Sequence, residues 1–357
     1  MAPSLNIGTS YADNPRLRVD GGSSAAGAVG ELNATFKRLT ERSELTLRPR
    51  LYTSRYNDDD SLSSDDQFLT AGYRWLGERS EFGSEVGFTR DSTLTSELGL
   101  TGLVQTNRRH EALTLSVGPK IMLTERVSAG AQLFWLASHY QDAEFTGLVD
   151  YDYGAVSLYS SVALSEAGSS LTVTAQAGEL SSDVPGGAVT RDGSLRLGWT
   201  HRPWERWTVS LSAGPSYVDT DYGSDSGVVF DAEIKRQSER WSLSGGVARS
   251  QSPSGRGVLT RRDRASLSLN RAITERLSAT VSAQWIRNED LRPQFGADTY
   301  SVDYGRLDVT THWRMARHWS LALQLAGNAQ DYETASQRAE GYRASLSMVW
   351  NGQPQSL

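Results

Sequence analysis

The chain contains no cysteine. That excludes disulfides, thiol catalysis and zinc–thiolate centres, and it suits a protein that crosses an oxidising compartment. No stretch approaches the roughly 18–20 consecutive apolar residues that a membrane helix needs. At 38% the hydrophobic content is low for a large dry core. Basic charge is not in excess: the net charge of -6 argues against nucleic acid as a partner. Histidine is scarce, and no metal-spaced histidine set, phosphate loop or nucleophile elbow occurs, so neither a metal nor a cofactor is expected. No basic-then-apolar leader precedes the strand pattern that begins at Ser4. Either the protein is cytoplasmic, or a signal peptide or upstream domain lies outside these residues.

What the chain does have is aromatic rings, 10 Trp and 14 Tyr, and a repeat. Glu-Arg steps occur at Glu41-Arg42, Glu78-Arg79, Glu125-Arg126, Glu205-Arg206, Glu239-Arg240 and Glu275-Arg276. Degenerate versions at Ser165-Glu166-Ala167-Gly168 and Ala316-Arg317-His318 bring the turns to eight. Period-two patterns flank each turn, as in Leu277-Ala279-Val281-Ala283-Trp285 against Ser278-Thr280-Ser282-Gln284. Eight turns joining sixteen strands, with one more strand at either end, give eighteen. The far connections are longer and polar: 57–66, 141–150, 219–227, 251–256, 290–298 and 331–340. Short turns at one end and longer loops at the other predict an all-β fold over residues 1–357, a single closed antiparallel transmembrane barrel of 18 strands, with 16 as the alternative.

The aromatics sort to strand ends. Trp75, Trp199, Trp204, Trp207, Trp241, Trp313, Trp319 and Trp350 lie near Glu-Arg-type turns or the chain end, and Trp135, Tyr217 and Trp285 lie near the far ends. Trp207 and Tyr217 share a face ten residues apart, which at a strand tilt near 40° is about 25 Å of height, the span between two bilayer girdles. A bacterial outer membrane is the expected location. Lipid and lipopolysaccharide are then expected at the wall, and barrel-insertion machinery is an expected partner. Acidic loops such as "NDDDSLSSDD" fit divalent-bridged contact with lipopolysaccharide.

Strand parity places Lys37, Arg48, Arg50, Arg74, Lys120, Arg196, Lys235, Arg264, Arg306 and Arg343 inward, against the fewer acids Glu31, Glu85, Asp231, Glu233 and Asp308. A basic lumen favours anions. The expectation is a channel for anionic solutes, with a general porin or a non-conducting structural barrel as alternatives. In particular, Arg48, Arg50, Arg74 and Arg343, joined by Lys37, are expected to form an unpaired ladder on neighbouring strands. An enzymatic role is not expected. The near-rim candidates for one are His139 with Asp142 and the Asp150/Asp152 pair, while Asp219-Asp221-Asp225 has a faint calcium-loop character without the closing Glu.

The stretch "SLNIGTSYADNPRLRV", with Tyr11, Asp13 and Asn14, resembles the opening of outer-membrane barrels from exopolysaccharide and exosortase-linked loci. The strand count and inward arginines are similar in type to an alginate exporter. The resemblance implies passage of an acidic polysaccharide, periplasmic export partners, and in some members an upstream helical-repeat domain. One departure is the end of the chain: Trp350 closes the last strand, and "NGQPQSL" follows it.

Overall fold

The structure is a computed structural model that describes residues 2–19, 22–94, 96, 107–142, 146–165, 168–183, 188–220, 223–291, 301–332 and 337–353. Eighteen strands follow one another: β1 (Ala2–Asp13), β2 (Ser24–Leu39), β3 (Ser43–Tyr56), β4 (Ser64–Leu76), β5 (Ser80–Ser92), β6 (Arg109–Met122), β7 (Val127–Tyr140), β8 (Tyr151–Ala163), β9 (Ser170–Ser182), β10 (Ala188–His201), β11 (Trp207–Thr220), β12 (Gly223–Gln237), β13 (Trp241–Pro253), β14 (Leu259–Ala272), β15 (Leu277–Asp290), β16 (Ser301–Arg314), β17 (Trp319–Tyr332) and β18 (Gln337–Asn351). Each pairs antiparallel with its sequence neighbours. β1 closes the ring on β18 through a register that sets Leu5 opposite Trp350 and Tyr11 opposite Ala344. Closure leaves no exposed edge, which a wall in lipid requires.

Outward positions carry the oil. Ile7, Leu32, Leu158, Leu197, Leu267 and Leu307 are all exposed large apolar residues. Leu321, Leu323 and Leu325 line up in register with Met348, Leu346 and Ala344 on β18. A soluble protein does not present such a face to water. In lipid it is the stabilising surface, and the chain is an outer-membrane β-barrel.

The Glu-Arg turns are tight. Backbone bonds such as Thr274 N–H to Leu277 O at 3.1 Å close them, and Thr274 Oγ1 accepts from the Leu277 amide at 3.0 Å. The 166–167 part of the degenerate turn lies outside the described residues. At the opposite end two expectations are corrected. In the polar stretch 219–227 the described residues are strand: β11 runs to Thr220 and β12 starts at Gly223, pairing Tyr217 with Ser226 and Val218 with Asp225. In the expected 331–340 loop, residues 331–332 close β17 while 337–340 open β18. Strands of 12 to 16 residues rise about 30–40 Å at a 40° tilt, more than the roughly 25 Å apolar band. They therefore continue past the lipid, and polar sequence there is still strand.

Several loop ends fold inward. The segment that follows β1 plants Leu17 in a buried cluster with Ile286, Tyr304 and Ala339. Asn14 holds it there. It has a left-handed φ of 44°, which Asn tolerates better than most residues. Its Nδ2 donates to Arg18 O at 2.9 Å and to Glu340 O at 2.8 Å, and its Oδ1 accepts from the Arg18 amide at 2.9 Å. Asn14→Ala is expected to release this segment at a cost of about 1–2 kcal/mol. Trypsin should then cut at Arg16 or Arg18 in outer-membrane vesicles where the unmodified protein resists; equal resistance would show that Leu17 and the Arg16–Asp59 pair hold the segment without Asn14.

Candidate functional site

The lumen face of β16–β18 and β1–β4 encloses a cavity of about 440 Å³. Its wall carries Arg50, Arg306 and Arg343, with Glu31, Asp66 and His312, and polar Asn6, Gln324 and Asn328. The strand order makes it continuous: β18 lies beside β1, so Arg343 sits opposite Ala12 on one side and Ala326 on the other. Over the loop end lies a buried cap of Ala12, Ala25, Tyr56 and Leu62. A second cavity of about 480 Å³, along the periplasmic half of β3–β7, is lined by Arg48 and Arg74 with Glu44, Glu81 and Glu85.

The unpaired ladder does not form. Arg50 pairs with Glu31 at 3.2 Å and lies over the Phe68 ring at 4.8 Å. Arg74 pairs with Glu81 at 2.6 Å, and Lys37 with Glu44 at 2.7 Å. Lys235 pairs with Glu233 at 2.7 Å, and Arg306 with Asp308 at 2.6 Å. Arg196 donates to Gln176 Oε1 at 3.3 Å. Among the described residues Arg48, Lys120, Arg264 and Arg343 have no acidic partner within ion-pair distance. Glu44 and Glu81 share the lumen face at the turn end, and Asp66, Asp91 and Asp192 share it toward the loops, so the inward acids are more numerous than the five that strand parity suggests. The lumen is a quilt of pairs with a few free guanidinium and ammonium groups, not a basic surface. Among these Arg343 is distinctive, because it lines the upper cavity beside Tyr52 and Asn328 while no carboxylate among the described residues pairs with it.

The aromatic residues take two levels. Trp207, Trp241 and Trp319 open their strands at the turn end, while Trp75, Trp199, Trp313 and Trp350 stand within two residues of a strand's end there. Trp319 and Trp350 are paired in register. Trp135, Tyr217 and Trp285 stand five, three and five residues short of the loop end of β7, β11 and β15.

The rim holds a group that spacing does not reveal. His110 Nδ1 lies 2.9 Å from Asp91 Oδ1, and its Nε2 lies 3.0 Å from Ser138 Oγ. With Nδ1–H donating to the carboxylate, Nε2 accepts from the serine. The order resembles a nucleophile–base–carboxylate relay. Here, however, Asp91, His110 and Ser138 are only 2%, 6% and 4% exposed, and Tyr140 stacks on the imidazole at 4.9 Å. A relay with its hydroxyl covered has no face for a carbonyl, and it acts as a strap across β5, β6 and β7. His139, the sequence candidate, points to the other face and pairs with Asp150, not Asp142. Asp225 is taken by Arg261 at 2.7 Å, and Asp221 lies outside the described residues. Among the described residues no three acids or histidines are grouped to hold a metal.

The mouth is crossed. Val149 N–H donates to Gly255 O at 2.8 Å, joining the 141–150 and 254–258 connections, which six strands separate along the wall. Tyr140, Tyr153, Leu180, Val218, Leu259 and Leu291 form a buried cluster beneath that contact. In the 57–63 connection the Ser61 hydroxyl, and after it Arg16, hold the Asp59 carboxyl below its ordinary range. A lowered carboxylate contributes stability above its unfolded pKa near 3.9 and loses it only as pH falls through the lower folded value. That latch is therefore intact at neutral pH.

No protein-family model matches the chain, and no curated protein matches it. Among solved structures it is similar to the siderophore receptor PirA from Pseudomonas aeruginosa, with TM-score 0.44 and 10% identity over 99% of this chain and 80% of that one. It is also similar to the FrpB iron transporter from Neisseria meningitidis in its apoprotein form, with TM-score 0.48 and 7% identity over 99% and 81%. The copper transporter OprC gives TM-score 0.47 and 10% identity over 95% and 68%. The kinship with exopolysaccharide-locus barrels expected from Tyr11, Asp13 and Asn14 is thereby corrected: the solved structures similar to the chain are a siderophore receptor and iron and copper transporters, and Asn14 has a local task in holding the segment after β1.

Proposed function

We propose that the barrel is an outer-membrane channel for small anionic solutes, which are held in passage at Arg343. The observation that carries this reading is a free guanidinium in the wall of an enclosed polar cavity. A carboxylate or phosphate reaching Arg343 gains paired, charge-assisted hydrogen bonds. The neighbours Arg50 and Arg306 are engaged by their own acids, so the site is weak enough for a solute to leave. Arg48, in the lower cavity, offers a second step toward the periplasm. Acidic oligosaccharides belong to the same chemical class as small dicarboxylates, and the closed-in cavity favours the smaller members. The apolar cluster crossing the mouth favours a second reading, a non-conducting structural barrel.

Proteoliposome uptake separates them. Succinate should enter faster than lysine, and Arg343→Gln should slow succinate about tenfold, the worth of one hydrogen bond to a charged group, while leaving glycerol unchanged. No uptake of any solute would support the structural barrel. An equal effect on glycerol would mean that Arg343 shapes the pore without recognising charge.

A further inference from the structure

Two of the arginines on the outer wall, Arg236 and Arg271, stand beside tryptophans and have no part in the proposed transport. On β12 the outward parity of Ala232 and Ile234 continues to Arg236, and on β14 that of Leu267 and Leu269 continues to Arg271. Both sit at the periplasmic end of the wall, where register sets Arg236 opposite Trp207 and Arg271 opposite Trp241. The Arg236 guanidinium lies between two rings, 4.9 Å from Trp207 and 4.4 Å from Trp241. Its Nε is buried with no hydrogen-bond partner. Among the described residues neither arginine has an acidic partner.

Directly above, one outward step along the same strands, lies an apolar groove of about 550 Å³. Gly245, Ala265 and Ala283 form its floor, and Leu211, Leu267 and Trp285 stand as walls. Register explains the furrow, since Leu267 is flanked by Gly245 and Ala283, and Ala265 by Val247 and Trp285. An aliphatic trough on a lipid-facing wall takes a hydrocarbon chain. Two unpaired cations at its periplasmic mouth take an anion at headgroup depth. Only one molecule present at that depth supplies both ends.

We infer that β11–β15 form a binding site for an anionic glycerophospholipid of the periplasmic leaflet, its phosphate on Arg236 and Arg271 and one acyl chain in the groove. The two tryptophans fix the Arg236 side chain by cation–π contact, so little rotamer freedom is lost on binding. Lipopolysaccharide is excluded as the occupant by depth, because the site lies at the turn end of the strands. Two free positive charges favour a lipid of net negative charge over a zwitterionic one.

The test is native mass spectrometry of the full barrel released from mixed micelles containing equal phosphatidylglycerol and phosphatidylethanolamine. Phosphatidylglycerol should be retained preferentially, by about fivefold for each arginine. Arg236→Gln with Arg271→Gln should erase the preference while the folded band still migrates as a heat-modifiable barrel. Ala283→Leu, which fills the groove from the lipid side and leaves both arginines in place, should reduce retention of both lipids and keep their ratio. Equal retention of the two lipids by the unmodified barrel, or an unchanged ratio in the double variant, would overturn the headgroup assignment. Unchanged retention in Ala283→Leu would overturn the groove.

Discussion

Replacing His110 with alanine is expected to destabilise the barrel by about 3 kcal/mol, the cost of leaving a buried carboxylate without its hydrogen-bond donor. Asp91 is then left 2% exposed with no partner among the described residues, Ser138 loses its acceptor, and Tyr140 loses the ring it stacks on. The losses fall on β5 and on β7, the two strands that flank His110 on β6, so β5, β6 and β7 should loosen together at the loop end. His110→Asn, which keeps a donor for Asp91, should recover part of the loss. Urea titration of the barrel in lipid vesicles reads the effect. A change under about 1 kcal/mol for His110→Ala would show that the relay is not a strap. Covalent capture of Ser138 by a fluorophosphonate would go further and show that the hydroxyl is open to reagents.

The second large effect is expected at the mouth. Leu180 is wholly buried in the cluster under the 149–255 contact, although it lies on β9 and its partner Leu259 on β14. Leu180→Ala should cost about 2–5 kcal/mol, as buried leucine truncations do. The cost should be local, because the lipid-facing wall is untouched. With the packing between opposite walls weakened, the two connections should part more often and single-channel conductance should rise. Gly257 offers a second route. Its φ is +69°, and Val149 Cγ2 occupies the space that a Cβ at this position would need, so Gly257→Val should push the loops apart without removing any apolar contact. If conductance is unchanged in both variants, the crossing does not limit the pore.

The ring of strands is legible in the sequence because two signals agree along the whole chain. Alternation such as Leu277 to Trp285 against Ser278 to Gln284 fixes which side chains face out, and the Glu-Arg steps fix where each hairpin turns. The stretch 219–227 reads as a loop because acidic, glycine-rich sequence is the mark of one, yet here the hairpin climbs beyond lipid into water, where polar strand costs nothing. The lumen reads as too basic for a related reason. Glu44 and Glu81 each follow an arginine of a tight turn by two residues, so they look like turn residues. Only the register shows them pairing with Lys37 and Arg74. Parity gives the face of a residue, but pairing depends on diagonal neighbours in the next strand. The strap of Asp91, His110 and Ser138 is beyond reach for the same cause, since its members lie on three strands and only the register brings them together. Arg236 and Arg271 do carry a visible signal, two cations at outward parity beside tryptophans, although a reading centred on inward charges does not reach them.

Anion recognition at Arg343 meets its most direct test in one recording: the current through single purified barrels in a planar bilayer at 0.1 M KCl, where screening leaves fields a reach of about 10 Å, before and after addition of millimolar succinate. The expected trace is an open-channel current that succinate interrupts in brief blocks, with the blocks lost in Arg343→Gln and kept in Arg50→Gln, whose guanidinium is already held by Glu31. A barrel that carries no current, or one whose blocks survive unchanged in Arg343→Gln, would contradict it.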